Sequence, residues 1–352
     1  MKLMHLSLYR YQIPLDKLLP VGKQRIDSRQ GLVLRASAQD DGQTLVSAEV
    51  EISPLSGQDV DEQPLKGFSQ ETLAEVIEEL TPMLDELITS DIEQLITRSE
   101  QTSLPSIAFG LSLLHAKLTD RLRPARQGRR AIPLIYQAQD EPPQVLDARI
   151  KALDASTHSV KIKVGQTSME QEIAMIHRVL AIRPDLKLRL DANRCFTLSQ
   201  AIDFLACLPL AAIEYIEEPC IERQDNSLLF QALGVGFALD ESLNDPNYQF
   251  AMQAGLAALI VKPMLLGSLP RLQQLTQQAH EAGVRVILSA SLEASLGITA
   301  LQALSEALTP DEIPGLDTLS AFSADLLVST GKTRCLTLEN LICLKQVNRE
   351  AV

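Results

Sequence analysis

The strongest constraint in this 352-residue chain is the regular alternation of short apolar runs with helical segments over its second half. From Ala131 onward, IPLIYQA, VKIKVG, LKLRLDAN, AIEYIEEP, GFALDES, ALIVKP and VRVILSAS read as strands, with a weak eighth near IPGLDT. Segments such as MEQEIAMIHRVLAIR, LSQAIDFLACL and LPRLQQLTQQAHEAG lie between them with helical spacing. Repeated strand, loop and helix units predict an α/β protein built on a TIM-like (β/α) barrel, with a doubly wound sheet as the alternative. The order differs upstream. LMHLSLYRYQIPL, GLVLRASA and TLVSAEVEISPL read as sheet strands, followed by two helices. The first is SQETLAEVIEELTPMLDELI, opening at Ser69 with Glu71 and Glu75 in its early turns, and the second is SIAFGLSLLHAKLTDRL. The expected division is an α+β domain over 1–125 and a barrel over 126–319, with the basic stretch Arg121 to Arg130 as boundary. A C-terminal segment, 320–352, would complete the first domain, CLTLENLICLKQV returning to its sheet as a strand.

Parallel strands buried on both faces should be continuous apolar runs. These are not. Lys163 sits near the end of the second, Asp191 closes LRLD, Glu217 closes EYIE, Asp240 closes FALD and Lys262 closes LIVK. That spacing is close to one residue per βα unit of about 30 residues, and the carboxyl ends of such strands carry active sites. A single acid after a strand commonly caps the next helix or makes a turn. Five charged groups in phase with the barrel period are not explained that way. Three carboxylates without His or Cys make a hard oxygen site suited to Mg²⁺, with Mn²⁺ as the alternative.

Residues two apart on a strand share a face, so Lys161 joins Lys163, Arg189 joins Asp191, and Ser291 joins Ser289. With a divalent ion present, Lys161, Lys163, Lys262 and Arg189 outweigh the three carboxylates. The pocket would then be positive and would take a small anionic carboxylate substrate. Lysines at i and i+2 stand about 6.6 Å apart and repel by roughly 2.5 kcal/mol at an effective dielectric near 20, which eases proton loss from the pair.

Lys and Arg number 32 against 45 Asp and Glu, a net charge of −13. Such an excess repels nucleic acid and anionic membrane surfaces. No apolar run approaches the length of a membrane span, and the first residues, interrupted by His5, Arg10 and Gln12, do not read as a signal peptide. Five cysteines, odd in number and without a C-x-x-C pair, argue against a disulfide framework. The expectation is a cytoplasmic protein, monomeric or a small homo-oligomer.

The motifs KIKVG, LRLDAN, IEEPC, LDES, VKP, SASLEASLG and PGLDT, preceded by EISPL and GFSQET, resemble in order and spacing those of the enolase superfamily. Within it they are most similar to the muconate-cycloisomerase-like branch and its o-succinylbenzoate synthase family, over nearly the whole chain. The resemblance implies a modified (β/α) barrel with an α+β N-terminal capping domain, and removal of a proton α to a carboxylate. By position it implies Mg²⁺ ligands at Asp191, Glu217 and Asp240, a base at Lys163 flanked by Lys161, and Lys262 as the lysine across the pocket. Ser289 and Gly315 match positions that hold substrate carboxylates through a hydroxyl or the backbone. Arg189 would bind substrate beside a ligand, and Asn193, Glu218 and Glu241 would support the ligands.

The implied reaction is dehydration of 2-succinyl-6-hydroxy-2,4-cyclohexadiene-1-carboxylate to 2-succinylbenzoate, a step of menaquinone biosynthesis. Racemisation of N-succinyl or N-acylamino acids and dipeptide epimerisation use the same two lysines and are the enzymatic alternatives, with muconate lactonisation more distant. A catalytically silent barrel used for binding is the non-enzyme alternative. One stretch departs from the family pattern: residues 57–66 are longer and more acidic, in a domain whose loops close over the site in this family. The segment from Leu19 to Gln30 is expected to be the loop that supplies specificity contacts.

Overall fold

The computed structural model describes residues 1–22, 24–40, 42–125, 131–136 and 141–349. By contacts the chain divides into two units, Met1–Arg129 with Val261–Gln277 and Leu288–Val352, and Arg130–Ile260 with Gln278–Ile287.

The first unit begins with three antiparallel strands, Lys2–Val21 (β1), Gln24–Gln39 (β2) and Leu45–Ile52 (β3). Helices Leu73–Leu87 (α1), Gln94–Gln101 (α2) and Pro105–Leu118 (α3) follow, with α3 packed on β2 and β3. α1 opens at Thr72 rather than Ser69. The Thr72 hydroxyl accepts from Glu75 N at 3.2 Å while the Glu75 carboxylate accepts from Thr72 N at 2.7 Å, a reciprocal cap that only this spacing of Thr and Glu permits. Ser69 instead accepts from Leu55 N, and buried Glu71 accepts from Ser106 N at the start of α3.

The pairing of β1 with β2 is interrupted by an irregularity between Pro14 and Leu19 and resumes at the tip, with Leu19 opposite Ile26 and Val21 opposite Gln24. The segment expected as a loop from Leu19 to Gln30 is therefore strand on both sides of a turn at Gly22, whose φ is +59°. The acidic stretch 57–66 folds against this tip. Gln24 donates to Asp59 at 2.8 Å and to the Pro64 carbonyl at 3.0 Å, and accepts from Lys66 N at 3.1 Å. Val60 N donates to the Arg25 carbonyl at 2.9 Å. Val21, Ile26 and Leu55 close an apolar cluster beneath these bonds with Leu65 and Phe68.

In the second unit, Leu134–Ile135 (β4), Ser159–Lys163 (β5), Lys187–Asp191 (β6), Ile213–Glu217 (β7) and Phe237–Leu239 (β8) pair in parallel, in chain order. Leu256–Val261 (β9) and Arg285–Leu288 (β10) extend the sheet to seven strands. Pro143–Lys151 (α4), Met169–Ile182 (α5), Leu198–Ala206 (α6) and Asp225–Leu233 (α7) alternate with the strands, while Pro263–Leu266 (α8) and Leu269–Glu281 (α9), which follow β9 in the chain, fall in the first unit as far as Gln277. The expected eighth strand near IPGLDT is reduced to an isolated parallel bridge between Ser289 and Gly315. Pro314 brings no N–H to that edge, so a longer ladder is broken there. β4 is shorter than expected as well: Gln137 and Ala138 of its run, and the 126–130 end of the expected boundary, lie outside the described residues.

Ser295–Leu308 (α10), Asp325–Leu326 (β11), Cys335–Leu336 (β12) and Ile342–Asn348 (β13) complete the first unit. β13 pairs antiparallel with β1, giving the order β13-β1-β2-β3 and the C-terminal return expected from CLTLENLICLKQV. Two buried charges tie this unit together. Glu51 accepts from the hydroxyls of Tyr11 (2.6 Å) and Ser53 (2.9 Å) and from the amides of Ala294 and Gly297 (both 2.9 Å). It thereby caps α10, whose own N-cap position is an alanine. Arg29 is 2% exposed and donates to the carbonyls of Gln30, Ser53, Pro54, Ser291 and Leu292.

α3 approaches β3 so closely that a methyl group at Gly110 would run into the Ile52 side chain. Gly110→Ala should lower the urea midpoint by an amount equivalent to about 1–3 kcal/mol of overpacking. An unchanged midpoint would show that this contact can relax freely.

Candidate active site

The pleat of β5 sorts its residues cleanly. Val160, Ile162 and Val164 are fully buried on one face, leaving Lys161 and Lys163 on the other. Lys163, Asp191 and Glu217 are the last residues of β5, β6 and β7, and Asp240 directly follows β8. The register sets Lys163 opposite Asp191 and Asp191 opposite Glu217. Two residues earlier, Lys161 stands opposite Arg189 and Arg189 opposite Tyr215, a second row on the same side of the sheet. Lys262 directly follows β9 and Ser289 directly follows β10. Lys262, Ser289 and Gly315 belong to the first contact unit, and the other expected site residues to the second.

Asp191, Glu217 and Asp240 are 3%, 2% and 4% exposed, so their charge has to be met locally. The Lys161 ammonium lies 2.9 Å from Asp191 Oδ2 and 2.5 Å from Glu217 Oε2. Burial works against that ammonium, but the charges of Asp191, Glu217 and Asp240 outweigh it and hold the proton well above the usual lysine range. Lys161 is thus less a bare charge facing Lys163 than a clamp between two carboxylates. Glu217 is pushed up to about 7, first by burial and further by Asp191 and Asp240, against the pull of Lys161. Crowded, buried, all-oxygen donors are chemically suited to a hard divalent cation. The fit lies in the donors and their charge: among the described residues no three carboxylate, imidazole or thiol groups form a ready-made cage.

The supporting acids have defined partners. Glu218 is fully buried with φ +37°, and its Oε1 accepts from the amides of Asp240 (3.1 Å) and Ser242 (2.9 Å). Its Oε2 accepts from Arg194 Nε at 3.0 Å, and Arg194 also donates to the Ser242 hydroxyl at 2.7 Å. Asn193 donates to Glu241 at 2.8 Å. These bonds fix the backbone from which Asp240 projects. Arg194, to which the sequence assigns no role of its own, follows Asn193 in a loop where both have positive φ, a place where Asn is a recognisable marker.

Arg189 has partners other than the substrate contact expected for it. It donates to Glu214 at 2.9 Å, its guanidinium lies 5.6 Å from the centre of the Tyr215 ring, and Arg285 matches both contacts. Despite burial, Glu214 is held below the usual carboxylate range by Arg189, Ser159 and Arg285. The sequence signal for Glu214 was an acid at the start of a strand beside one carrying a buried arginine. Gly315 is held by the same edge: its N–H is used by the Leu288 carbonyl at 2.9 Å, and its carbonyl accepts from the Ser289 hydroxyl at 3.3 Å. A side chain there would begin 2.9 Å from Ser289 Oγ, so glycine keeps room for that hydroxyl.

Comparison with known proteins bears directly on this strand-end arrangement. Residues 145–331 match the family described as enolase C-terminal domain-like, and residues 3–118 match that described as MenC, N-terminal domain. The o-succinylbenzoate synthase of Yersinia enterocolitica serotype O:8 / biotype 1B is 35% identical over 326 residues, covering 91% of this chain and 92% of that one. The chain belongs to the o-succinylbenzoate synthase family. Its fold is that of the enolase-type (β/α) barrel with an α+β capping domain. The crystal structure of o-succinylbenzoate synthase from Thermosynechococcus elongatus BP-1, complexed with Mg in the active site, superposes with a TM-score of 0.66 at 25% identity, covering 89% of this chain and 92% of that one. A dipeptide epimerase from Cytophaga hutchinsonii, complexed with Mg and D-Ala-L-Val, gives a TM-score of 0.72 at 17% identity, covering 92% of this chain and 89% of that one, a likeness of fold. Like the sequence, the described residues contain no helix long and apolar enough to cross a membrane.

In metal-free protein kept in EDTA, folded Glu217 holds its proton to about pH 7, whereas the unfolded chain releases it near the ordinary value of 4.5. The folded state then binds more protons between those values. The stability contributed by this group is full below the lower value and is lost as pH rises through the higher one. Thermal unfolding across that window should show the decline, and Glu217→Gln should flatten it; an identical slope in the variant would assign the titration to another group.

Proposed function

We propose that the protein is a hydro-lyase that dehydrates 2-succinyl-6-hydroxy-2,4-cyclohexadiene-1-carboxylate to 2-succinylbenzoate in menaquinone biosynthesis. The observation that carries the reading is the row Lys163, Asp191 and Glu217 in register at the ends of β5, β6 and β7. Family membership supports the same reaction over the racemase and epimerase alternatives.

Lys163, in its neutral form, takes the proton from the ring carbon that bears the carboxylate. The resulting ammonium gives that proton to the hydroxyl on the adjacent carbon, which leaves as water while the new double bond completes the aromatic ring. One group serves both transfers, so hydrogen and hydroxyl depart from the same face, a syn elimination. Asp191, Glu217 and Asp240 would hold Mg²⁺, or Mn²⁺ in its place, and a bound divalent cation supplies fixed positive charge that favours ionisation next to a carboxylate. Lys161 keeps Asp191 and Glu217 together, and Lys262 remains cationic to offset negative charge on the substrate. Ser289 contributes a hydroxyl to a substrate carboxylate, and Gly315 leaves it the space to do so. Arg189, bound to Glu214, acts through the row above it. All five cysteines are free, which suits a reducing cytoplasm.

The test is formation of 2-succinylbenzoate by the purified protein with Mg²⁺ and its loss with EDTA. Lys163→Ala should remain folded and lose on the order of 10²- to 10⁴-fold in rate. Wild-type turnover by that variant would remove Lys163 from the mechanism. Racemisation of N-succinyl amino acids without dehydration of the cyclohexadiene would move the protein to the racemase reading.

A further inference from the structure

The loop that leaves Lys163 is gathered onto one buried acid. Glu172, in the first turns of α5, is 3% exposed. Its Oε2 accepts from Gly165 N at 2.7 Å, while Oε1 accepts from Gln166 N at 2.7 Å, Thr167 N at 2.9 Å and the Thr167 hydroxyl at 3.4 Å. Three consecutive amides converging on a carboxylate form an anion-binding concavity that is filled here by the protein's own side chain. α5 does not need Glu172 as its cap, since Ser168 and Gln171 already cap it reciprocally.

The neighbouring contacts point the same way. Val164 N donates to the Asp191 carbonyl at 2.8 Å, so the residue after Lys163 is tied to β6. Gly165 has φ +74°, and a side chain there would run into the Cys195 thiol, so the loop is closed from above as well. Burial first, and the charge of Glu172 next, push that thiol up to about 12, so Cys195 packs against Gly165 as an unreactive body. Every residue from Val164 to Thr167 therefore has its amide committed.

We propose that Glu172 is the positioning residue for Lys163: by holding the amides of Gly165, Gln166 and Thr167 it fixes the end of β5 from which the base projects. The proposal rests on the reading of Lys163 as the base. A lysine amine sits at the end of a flexible four-carbon stem, so it returns to one place only if its backbone does not shift. Displacement of a reacting group by about 1 Å can cost on the order of 10²-fold in rate. A carboxamide cannot substitute for the carboxylate, because one of its two terminal atoms donates. Either Gly165 N–H or the Gln166 and Thr167 pair would then face a donor.

The experiment compares wild type with Glu172→Gln, Glu172→Asp and Glu170→Gln. Glu170 is exposed on the same helix and controls for the loss of charge. Steady-state dehydration kinetics are read beside hydrogen exchange of the 165–167 amides. Glu172→Gln should lower kcat by about 10- to 100-fold with KM within about threefold, and its three amides should exchange faster. Glu172→Asp should fall between, and Glu170→Gln should match wild type in both measurements. Faster exchange with an unchanged kcat would overturn the positioning role. So would wild-type amides that exchange as freely as open loop, a result obtained even if Glu172→Gln does not fold. Failure of the reaction assignment would appear as absence of turnover in wild type, and failure of the clasp as free exchange, so the two are read separately.

Discussion

Negative charge buried at the ends of parallel strands must be balanced within a few ångströms, and the second unit is arranged around that requirement. An unpaired buried carboxylate costs several kcal/mol even after relaxation. The Lys161 ammonium between Asp191 and Glu217 meets part of the demand, and it can do so because the pleat gives it the same face as Lys163 and the register sets β6 and β7 beside it in order. A one-residue slip of β5 would turn both lysines to the apolar face and take the Lys161 ammonium away from two buried acids. Charge balance and strand register therefore enforce one another.

A second theme is the use of buried ionised side chains to satisfy backbone groups that loops leave without partners. Glu218 takes the amides that follow β8, Glu51 takes two at the start of α10, and Arg29 gives its protons to five carbonyls in the cap segments and the loop after β10. Hydrogen bonds to charged groups are roughly twice as strong as neutral ones, so a few residues hold long irregular stretches without secondary structure. That solution suits loops that must be open to small molecules on one side and rigid on the other.

Which of these features could be read from sequence follows from the distance over which each is determined. Lys161, Lys163, Asp191, Glu217 and Asp240 were legible because strand periodicity and the βα repeat are local rules that project directly into register. The start of α1 is also a local matter: the Thr72 and Glu75 spacing carries the capping pattern, whereas Ser69 has only the general preference of its residue type for caps. The hairpin tip is harder to read because Gly22, the residue with positive φ, interrupts an otherwise continuous stretch without a recognisable turn pair. Pro314 is the local signal against an eighth strand, of which only the Ser289–Gly315 bridge forms. Glu51 could not have been placed at all: its partners Ala294 and Gly297 lie 243 and 246 residues away, and nothing near it in the chain names them. Arg189 was read by position in a family pattern, and its bond to Glu214 depends on a neighbouring strand whose register is irregular at that point.

The union of the hairpin tip with residues 57–66 carries a consequence for how this protein can change. Gln24 bonds to Asp59, to the carbonyl of Pro64 and to the amide of Lys66, and Val21, Ile26, Leu65 and Phe68 pack together below. Two stretches far apart in sequence thus form one mechanical piece. Sequence drift in either is constrained by the other, and a transplant of the acidic stretch into a relative would have to carry the hairpin tip with it.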